Sequence, residues 1–338
     1  MSQRPDWIQS QLNRLLAQSG HAWLLQGPSG LGQYGLALDM VRAWLCDNPS
    51  SAGACGICTS CHAIDVRTHA DLCVLMPEVD MLALGWPLSE KAQTDIDDKK
   101  RKLSREIRID AMRDAVEFSQ RTGARSRGKA VLVYPAEQMN HITANALLKT
   151  LEEPPGDVRF VLATEAAHEL LPTIRSRCLG HTMDWPGTAQ ALAWLQGQGA
   201  VGSAGATTAD AAGLLRAAGG RPDDALRFAA TGRTPKAWGL LPRAMARGDV
   251  SALADWTAPA VVDVLQKLCH DLQVRGAGGV PRFFDTNDLP AAAPAQTVLA
   301  EWFRELVRTA RTVDHPHNPG LMLEALVSQA QTALNSAP

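Results

Sequence analysis

Gly27-Pro28-Ser29-Gly30-Leu31-Gly32-Gln33-Tyr34 decides the fold of the first half of this chain, because of what stands on either side of it. Before it, Ala22-Trp23-Leu24-Leu25 is a short apolar run that ends at Gly27 and reads as a buried strand. After it, Leu36 to Leu45 has the apolar density of a helix. Strand, glycine loop, helix is the order of phosphate-binding α/β folds, in which loop N–H groups and the helix N-terminus cradle phosphates. The glycines have the spacing of a P-loop, but Gln33 stands where the lysine belongs, and Tyr34 replaces the Ser or Thr whose hydroxyl holds magnesium. On its own, such a loop also fits a plain strand-to-helix turn.

Further along, Lys129-Ala-Val-Leu-Val-Tyr134 reads as a second buried strand, at whose end an ATPase would carry an Asp-Glu pair; here Tyr134-Pro135 follows Val133. Both halves of a hydrolytic site are therefore missing. The expectation is a degenerate pocket (Gly27, Gly32, Gln33 and Tyr34 with Tyr134 and Pro135) that keeps the fold without the chemistry and holds no nucleotide of its own. Ile8, Leu12, Leu15 and Leu16 predict a helix ahead of the loop, and Leu72 to Met76 a strand. Asp95 to Arg105 is charged and reads as a solvated loop or helix face. Ile107 to Ile109 is a brief extended run, with Asp110 as N-cap of a helix through Met112, Val116 and Gln120. Ala144 to Glu153 predicts a helix stopped by Pro154-Pro155, and Arg159 to Thr164 another strand. Strands alternating with helices imply a mainly parallel sheet covered on both faces.

From Trp185 onward the chain is rich in alanine and leucine, helical in period and without convincing strands. Gly197 to Asp210 reads as a loop, Gly219-Gly220-Arg221-Pro222 as punctuation, and Thr234-Pro235 as a linker. Apolar stripes at Val261, Leu265, Leu268 and Leu272, at Leu299, Phe303, Leu306 and Ala310, and at Leu323, Leu326 and Ala330 suit a helical bundle.

Four of the seven cysteines fall within 46–61: Cys46, then Cys55-Gly-Ile-Cys58-Thr-Ser-Cys61. Tandem CxxC spacing with a fourth thiol nearby points to a closed tetrahedral set, the form of structural zinc with no open position for a reactive water. His62 adjoins the set but would be a fifth ligand. This distribution is unlike a disulfide framework and points to a cytoplasmic protein. No basic start leads into an apolar stretch and no run of about 18 apolar residues occurs, so secretion and membrane spanning are disfavoured. At 338 residues the chain exceeds one core, 46 % hydrophobic and 20 % charged residues exclude a disordered chain, and a net charge of −2 excludes a wholesale electrostatic grip on DNA.

The glycine loop, the four cysteines after it and Asn145-Ala-Leu-Leu-Lys-Thr-Leu-Glu-Glu-Pro-Pro155 together resemble the bacterial clamp-loader AAA+ family. Phe160-Val-Leu-Ala-Thr164 is similar to that family's sensor-1 strand and Ser176-Arg177-Cys178 to its arginine-finger motif. Gly220-Arg-Pro-Asp-Asp-Ala-Leu226 puts Asp223 at the sensor-2 arginine position. By motif the match covers 1–233; beyond that, Gln266-Lys-Leu-Cys-His-Asp271 is similar but less specific. The resemblance implies an α/β AAA+ P-loop-type domain with a parallel sheet and a zinc module (1–184, cysteines within 46–61). A small helical lid domain (185–233) and an all-α C-terminal collar domain (234–338) would follow.

Within the family, gamma/tau motor subunits keep the lysine and the acidic pair, so this chain has the pattern of a non-hydrolysing member. That implies a hetero-pentamer with gamma/tau and delta subunits, in which Arg177 reaches a neighbour's ATP while the ring loads the beta sliding clamp onto primed DNA. Structural Zn held by Cys46, Cys55, Cys58 and Cys61 is the implied cofactor, with ATP on neighbouring subunits. The chain would be no ATPase itself but a non-catalytic subunit of a DNA polymerase holoenzyme. The alternatives are a motor subunit of the same assembly, which needs the missing residues, and a zinc-dependent DNA-binding protein, which needs basic or aromatic residues where Ala54, Gly56, Ile57, Thr59 and Ser60 stand. No Ser, His and acid set or open metal position supports nucleophilic catalysis.

Overall fold

The strand before the glycine loop, β1 (Ala22–Gln26), has parallel partners on both sides. β4 (Val158–Thr164) pairs with it from Ala22↔Phe160 to Gln26↔Thr164, and β5 (Leu179–Thr182) from Trp23↔Leu179 to Gln26↔Thr182. β3 (Lys129–Val133) joins β4 and β2 (Leu72–Leu75) closes the far edge, giving a parallel sheet of order β2-β3-β4-β1-β5. Ala22 to Leu25 are each at most 2 % exposed, as an interior strand covered on both faces must be. Burying a side chain of this kind contributes about 1.5–3 kcal/mol, which is why so short a run is decisive.

The computed structural model describes residues 4–198, 208–313 and 318–336, in two compact units divided between Pro186 and Gly187. In the first unit, α1 (Asp6–Leu16), α2 (Gln33–Leu45), α3 (Thr59–Asp65), α4 (Glu78–Ala83), α5 (Glu90–Asp97), α6 (Ile109–Gln120), α7 (His141–Glu152) and α8 (Pro172–Arg175) accompany the sheet. Two boundaries depart from expectation. Ile107 pairs with Met139 in an isolated parallel bridge, the extended path runs on through Arg108, and Arg108 becomes the N-cap, so Asp110 lies inside the first turn instead of capping it. A carboxylate there still faces the positive end of the helix. α7 starts three residues earlier than read, because Asn140 caps it by accepting the Thr143 N–H at 3.0 Å. It stops at Glu152, since the residue before Pro154 is barred from the α region.

The charged stretch is not wholly solvated. Arg101 turns inward and binds Glu78 through two parallel hydrogen bonds of 2.6 and 2.7 Å, while Ser104 N donates to the same carboxylate at 2.9 Å. Arg101 and the Ser104 amide hold Glu78 below the usual carboxylate range against the opposing effect of burial. β5 was not anticipated: Leu-Gly-His-Thr carries no apolar run, and only its pairing with β1 makes it a strand.

Among the described residues of the second unit the regular elements are all helices: α9 (Thr188–Gly197), α10 (Thr208–Ala217), α11 (Pro222–Ala230), α12 (Pro235–Arg247), α13 (Ala258–Gly276), α14 (Gln296–Thr312) and α15 (Pro319–Leu334). Of the loop expected over 197–210, the ends belong to α9 and α10, and 199–207 lie outside the described residues. Ala191, Leu195, Leu214, Leu215, Ala218 and Ala225 make one small core, and α12 to α15 surround a larger one. The expected stripe on α13 is buried, and on α14 Leu299 and Leu306 are buried with Phe303 packed against the core, while Ala310 is exposed and Trp302 joins the buried face. Thr234 is not a free linker but the N-cap of α12.

Asp271, fully buried on α13, accepts the backbone N–H groups of Arg282, Phe283 and Phe284 at 2.9, 2.7 and 2.8 Å and so fixes the loop after the helix. Replacing it with alanine removes the acceptor of three backbone donors, of which that of Phe284 is buried and costs about 1–3 kcal/mol when unsatisfied. Asp271→Ala should therefore lower the urea midpoint of the helical unit, followed by tryptophan fluorescence, by the equivalent of about 1–3 kcal/mol.

Candidate functional site

The glycine loop is closed from within. Gly30 and Gly32 have φ of 78° and 90°, in the left-handed region where a side chain would be strained, and Gly32 is the N-cap of α2. Gln33 is only 2 % exposed, and its side-chain amide donates to the carbonyls of Gly27 and Pro28 at 2.8 and 2.7 Å. Where a lysine would extend toward phosphate, this amide folds back onto the loop. The Tyr34 ring lies against that of Tyr134 with centroids 5.3 Å apart, and its hydroxyl accepts from Trp86 Nε1 at 2.7 Å. The Arg67 guanidinium sits 4.4 Å from the centre of the Trp86 ring. Burial raises the Tyr34 phenol above its ordinary value, against the opposing influence of Trp86 and Arg67.

The Tyr134 hydroxyl donates to Glu165 at 2.9 Å, the Thr164 hydroxyl to Glu137 at 2.7 Å, and Glu165 N to Glu137 at 3.0 Å. Carboxylates thus stand near the end of β3, but they are bound to the chain's own donors. Pro135 is joined to Tyr134 by a cis peptide bond. Trp86, Glu137 and Glu165 escaped the sequence reading because nothing local marks them; Trp86 meets Tyr34 across 52 positions.

The cysteines come together as their spacing implies. Cys46 is the C-cap of α2, Cys58 the N-cap of α3, and the sulfurs of Cys46, Cys55, Cys58 and Cys61 all lie within 4.8 Å of one another. Cys46 Sγ is 3.8 Å from Cys58 Sγ and 3.7 Å from Cys61 Sγ, close to the edge of about 3.8 Å that four bonds of ~2.3 Å give in a zinc tetrahedron. The N–H groups of Cys55 and Cys61 donate to the sulfurs of Cys46 and Cys58 at 3.3 and 3.4 Å. The N–H groups of Ile57 and Cys58 hold the Cys55 thiol down to about 6, while burial pushes Cys61 up to about 12. The set could hold a metal ion. His62 is exposed and outside it.

Behind the cysteines, Asp47 accepts from Ser60 Oγ at 3.1 Å, Ser60 meets His69 Nε2 at 3.1 Å, and His69 Nδ1 accepts the Asp71 N–H at 3.1 Å. Arg125 reaches Thr59 and Ser60 at 2.9 and 3.2 Å, and Asp71 holds the Ala124 and Arg125 amides. This chain of bonds ties the cysteine module to the start of β2 and fixes the loops that carry the thiols.

Arg177 follows α8 and precedes β5. Because β5 runs parallel to β1, it stands at the amino end of the sheet while the glycine loop leaves the carboxyl end, roughly 15 Å of strand away. His21, at the same amino end, meets the Leu151 carbonyl at 2.9 Å, which brings the end of α7 there as well. Arg177 binds Glu152 of α7, with Nε donating to Oε1 at 2.6 Å, and its side chain is 32 % exposed. Asp223 lies in the first turn of α11, behind Arg221, which binds Asp224 at 2.6 Å.

Fold and site together define an AAA+-like α/β domain built around a P-loop-type turn without the P-loop lysine. The family described as "DNA polymerase III, delta subunit" matches residues 7–184, more than half of the chain, and the chain belongs to that family. It is 40 % identical over 179 residues to the DNA polymerase III subunit delta' of Pseudomonas aeruginosa, covering 53 % of this chain and 48 % of that protein. To the Escherichia coli subunit delta' it is 33 % identical over 194 residues, covering 56 % and 51 %. The chain spans about half the length of the curated relatives it matches. A DNA polymerase III gamma subunit-related protein from Thermotoga maritima shares the fold, with a TM-score of 0.51 at 16 % identity over 98 % of this chain and all of that one. No helix among the described residues is long and apolar enough to cross a membrane.

Restoring the lysine alone should not restore nucleotide binding, because Tyr34 still stands in place of the magnesium-holding hydroxyl and its ring stays packed against Tyr134. Gln33→Lys should bind a fluorescent ATP analogue with magnesium no more tightly than the unaltered chain in equilibrium titration. Tight binding by that single variant would show that the lysine is all the pocket lacks.

Proposed function

We propose that this chain is a non-hydrolysing subunit of a DNA polymerase III clamp-loader complex, which helps load the beta sliding clamp onto primed DNA and lends Arg177 to a neighbouring ATPase subunit. The observation that carries this reading is the placing of Arg177. It stands at the end of the sheet opposite to its own glycine loop, partly exposed, in a chain whose own pocket has neither lysine nor acidic pair. An arginine so placed is useless to its own pocket and open to another subunit's. The guanidinium would stabilise the charge that spreads over the γ-phosphoryl oxygens as the neighbour's ATP is hydrolysed, a contribution of about 10³–10⁵ in rate for such arginines.

In this reading the partners are gamma/tau and delta subunits in a hetero-pentamer in the cytoplasm, with the clamp and DNA met through the complex. Residues 1–184 are the AAA+ domain, 185–233 a lid and 234–338 a collar. Zinc on Cys46, Cys55, Cys58 and Cys61 is structural: four thiolates leave no position for a reactive water, and the module bears on the sheet through Asp47, Ser60 and His69. The purified chain should carry about one zinc per molecule by elemental analysis, and Cys58→Ser should lose it together with several degrees of melting temperature. Absence of metal from the unaltered chain rules this assignment out.

The trans role is tested by ATP turnover of the reconstituted loader with clamp and primed DNA. Arg177→Ala should lower turnover by more than about 100-fold, toward the range of about 10³–10⁵ that such arginines contribute, with assembly unchanged by size exclusion. Unchanged turnover would leave the chain a purely architectural member of the ring.

A further inference from the structure

We infer that Glu152 is a positioning residue that aims Arg177, an inference that rests on the trans-acting role proposed above. Nε of Arg177 donates to Glu152 Oε1 at 2.6 Å and Nη2 donates to the same oxygen. On the other side, Nη1 donates to the carbonyl of Thr173 at 2.8 Å and to Ser176 Oγ at 3.4 Å. A guanidinium has five N–H bonds in a rigid plane. Four of them meet groups of this chain, so the plane is fixed on two edges and one Nη2–H is left for an oxygen outside the chain.

Glu152 gains nothing from its place in the helix. It is the last residue of α7, where a carboxylate faces the negative end of the helix dipole. Arg177 is the cation that answers it. Thr173 belongs to α8, whose Ile174 is fully buried, so the second edge of the guanidinium rests on an anchored turn. Water reaches the pair, with the side chains 32 % and 47 % exposed, and a wet ion pair is too weak to sequester the arginine from a polyphosphate. What it does is orient. A flexible side chain that must meet a phosphoryl oxygen in the transition state loses rate steeply with small misplacement, and a carboxylate behind it removes that freedom. The contact needs only an acceptor oxygen at Oε1, which glutamine also supplies.

The test uses the complete loader with clamp and primed DNA, incorporating the unaltered chain, Glu152→Ala, Glu152→Gln, Arg177→Ala, or the double variant Glu152→Ala/Arg177→Ala. Glu152→Ala should lower kcat for ATP on the order of 10- to 100-fold, less than Arg177→Ala, with KM unchanged. Glu152→Gln should keep most of the rate, and the double variant should be no slower than Arg177→Ala alone. A rise in turnover for Glu152→Ala would overturn the inference, because Glu152 would then be restraining the arginine. So would unchanged turnover while Arg177→Ala is slow, since Glu152 would then not act through it. Equal losses for Glu152→Ala and Glu152→Gln, or a lower melting temperature in both, would make the role structural and likewise overturn it. If Arg177→Ala itself turns over normally, the trans role fails first, and that outcome is distinct from all of the others.

Discussion

Everything in the first unit depends on β1 being an interior strand, paired in parallel on both sides. A strand with no free edge and no solvent face cannot shift register without exposing its apolar set, so Ala22 to Leu25 stay fixed and with them both ends of the strand. The carboxyl end delivers the glycine loop and α2; the amino end collects the end of α7 and the approach to β5. The separation of Arg177 from its own pocket follows from strand direction alone.

The polar groups around this frame are engaged mostly by the chain itself. Gln33 caps loop carbonyls, Glu137 and Glu165 take hydroxyl and amide donors, and Glu78 takes Arg101. A buried donor or acceptor without a partner is costly, and beside the glycine loop the groups are satisfied from within. The contacts there are aromatic and hydrogen-bonded, and they join the start of α2 to the end of β3 and to the segment carrying Trp86.

The legible parts of the molecule were those whose signal is local. Apolar runs gave β1, β3 and β4, and tandem CxxC spacing gave a cluster whose sulfurs do converge. The missing lysine was equally plain. β5 was invisible because Leu-Gly-His-Thr becomes a strand only by lying along β1. Asp110 misled because its composition suits a cap, and the bridge at Ile107 moved the helix start past it. Trp86 beside Tyr34, the link from Asp47 through Ser60 to His69, and Glu152 beside Arg177 depend on contacts between distant positions, which periodicity and spacing do not encode. Glu152 stands inside the Asn145–Pro155 motif, yet only the fold shows what it faces.

The chain has just two tyrosines, and both lie in the aromatic stack beside the glycine loop, one of them bonded to a tryptophan. The near-ultraviolet signal of ionising phenol in this protein therefore comes from one place. Burial holds Tyr34 protonated beyond the ordinary phenol range, so an alkaline absorbance titration reads the closure of that site without a label. Any event that parts the two rings, whether a substitution or a ligand forcing its way in, is written into the spectrum of the unmodified molecule.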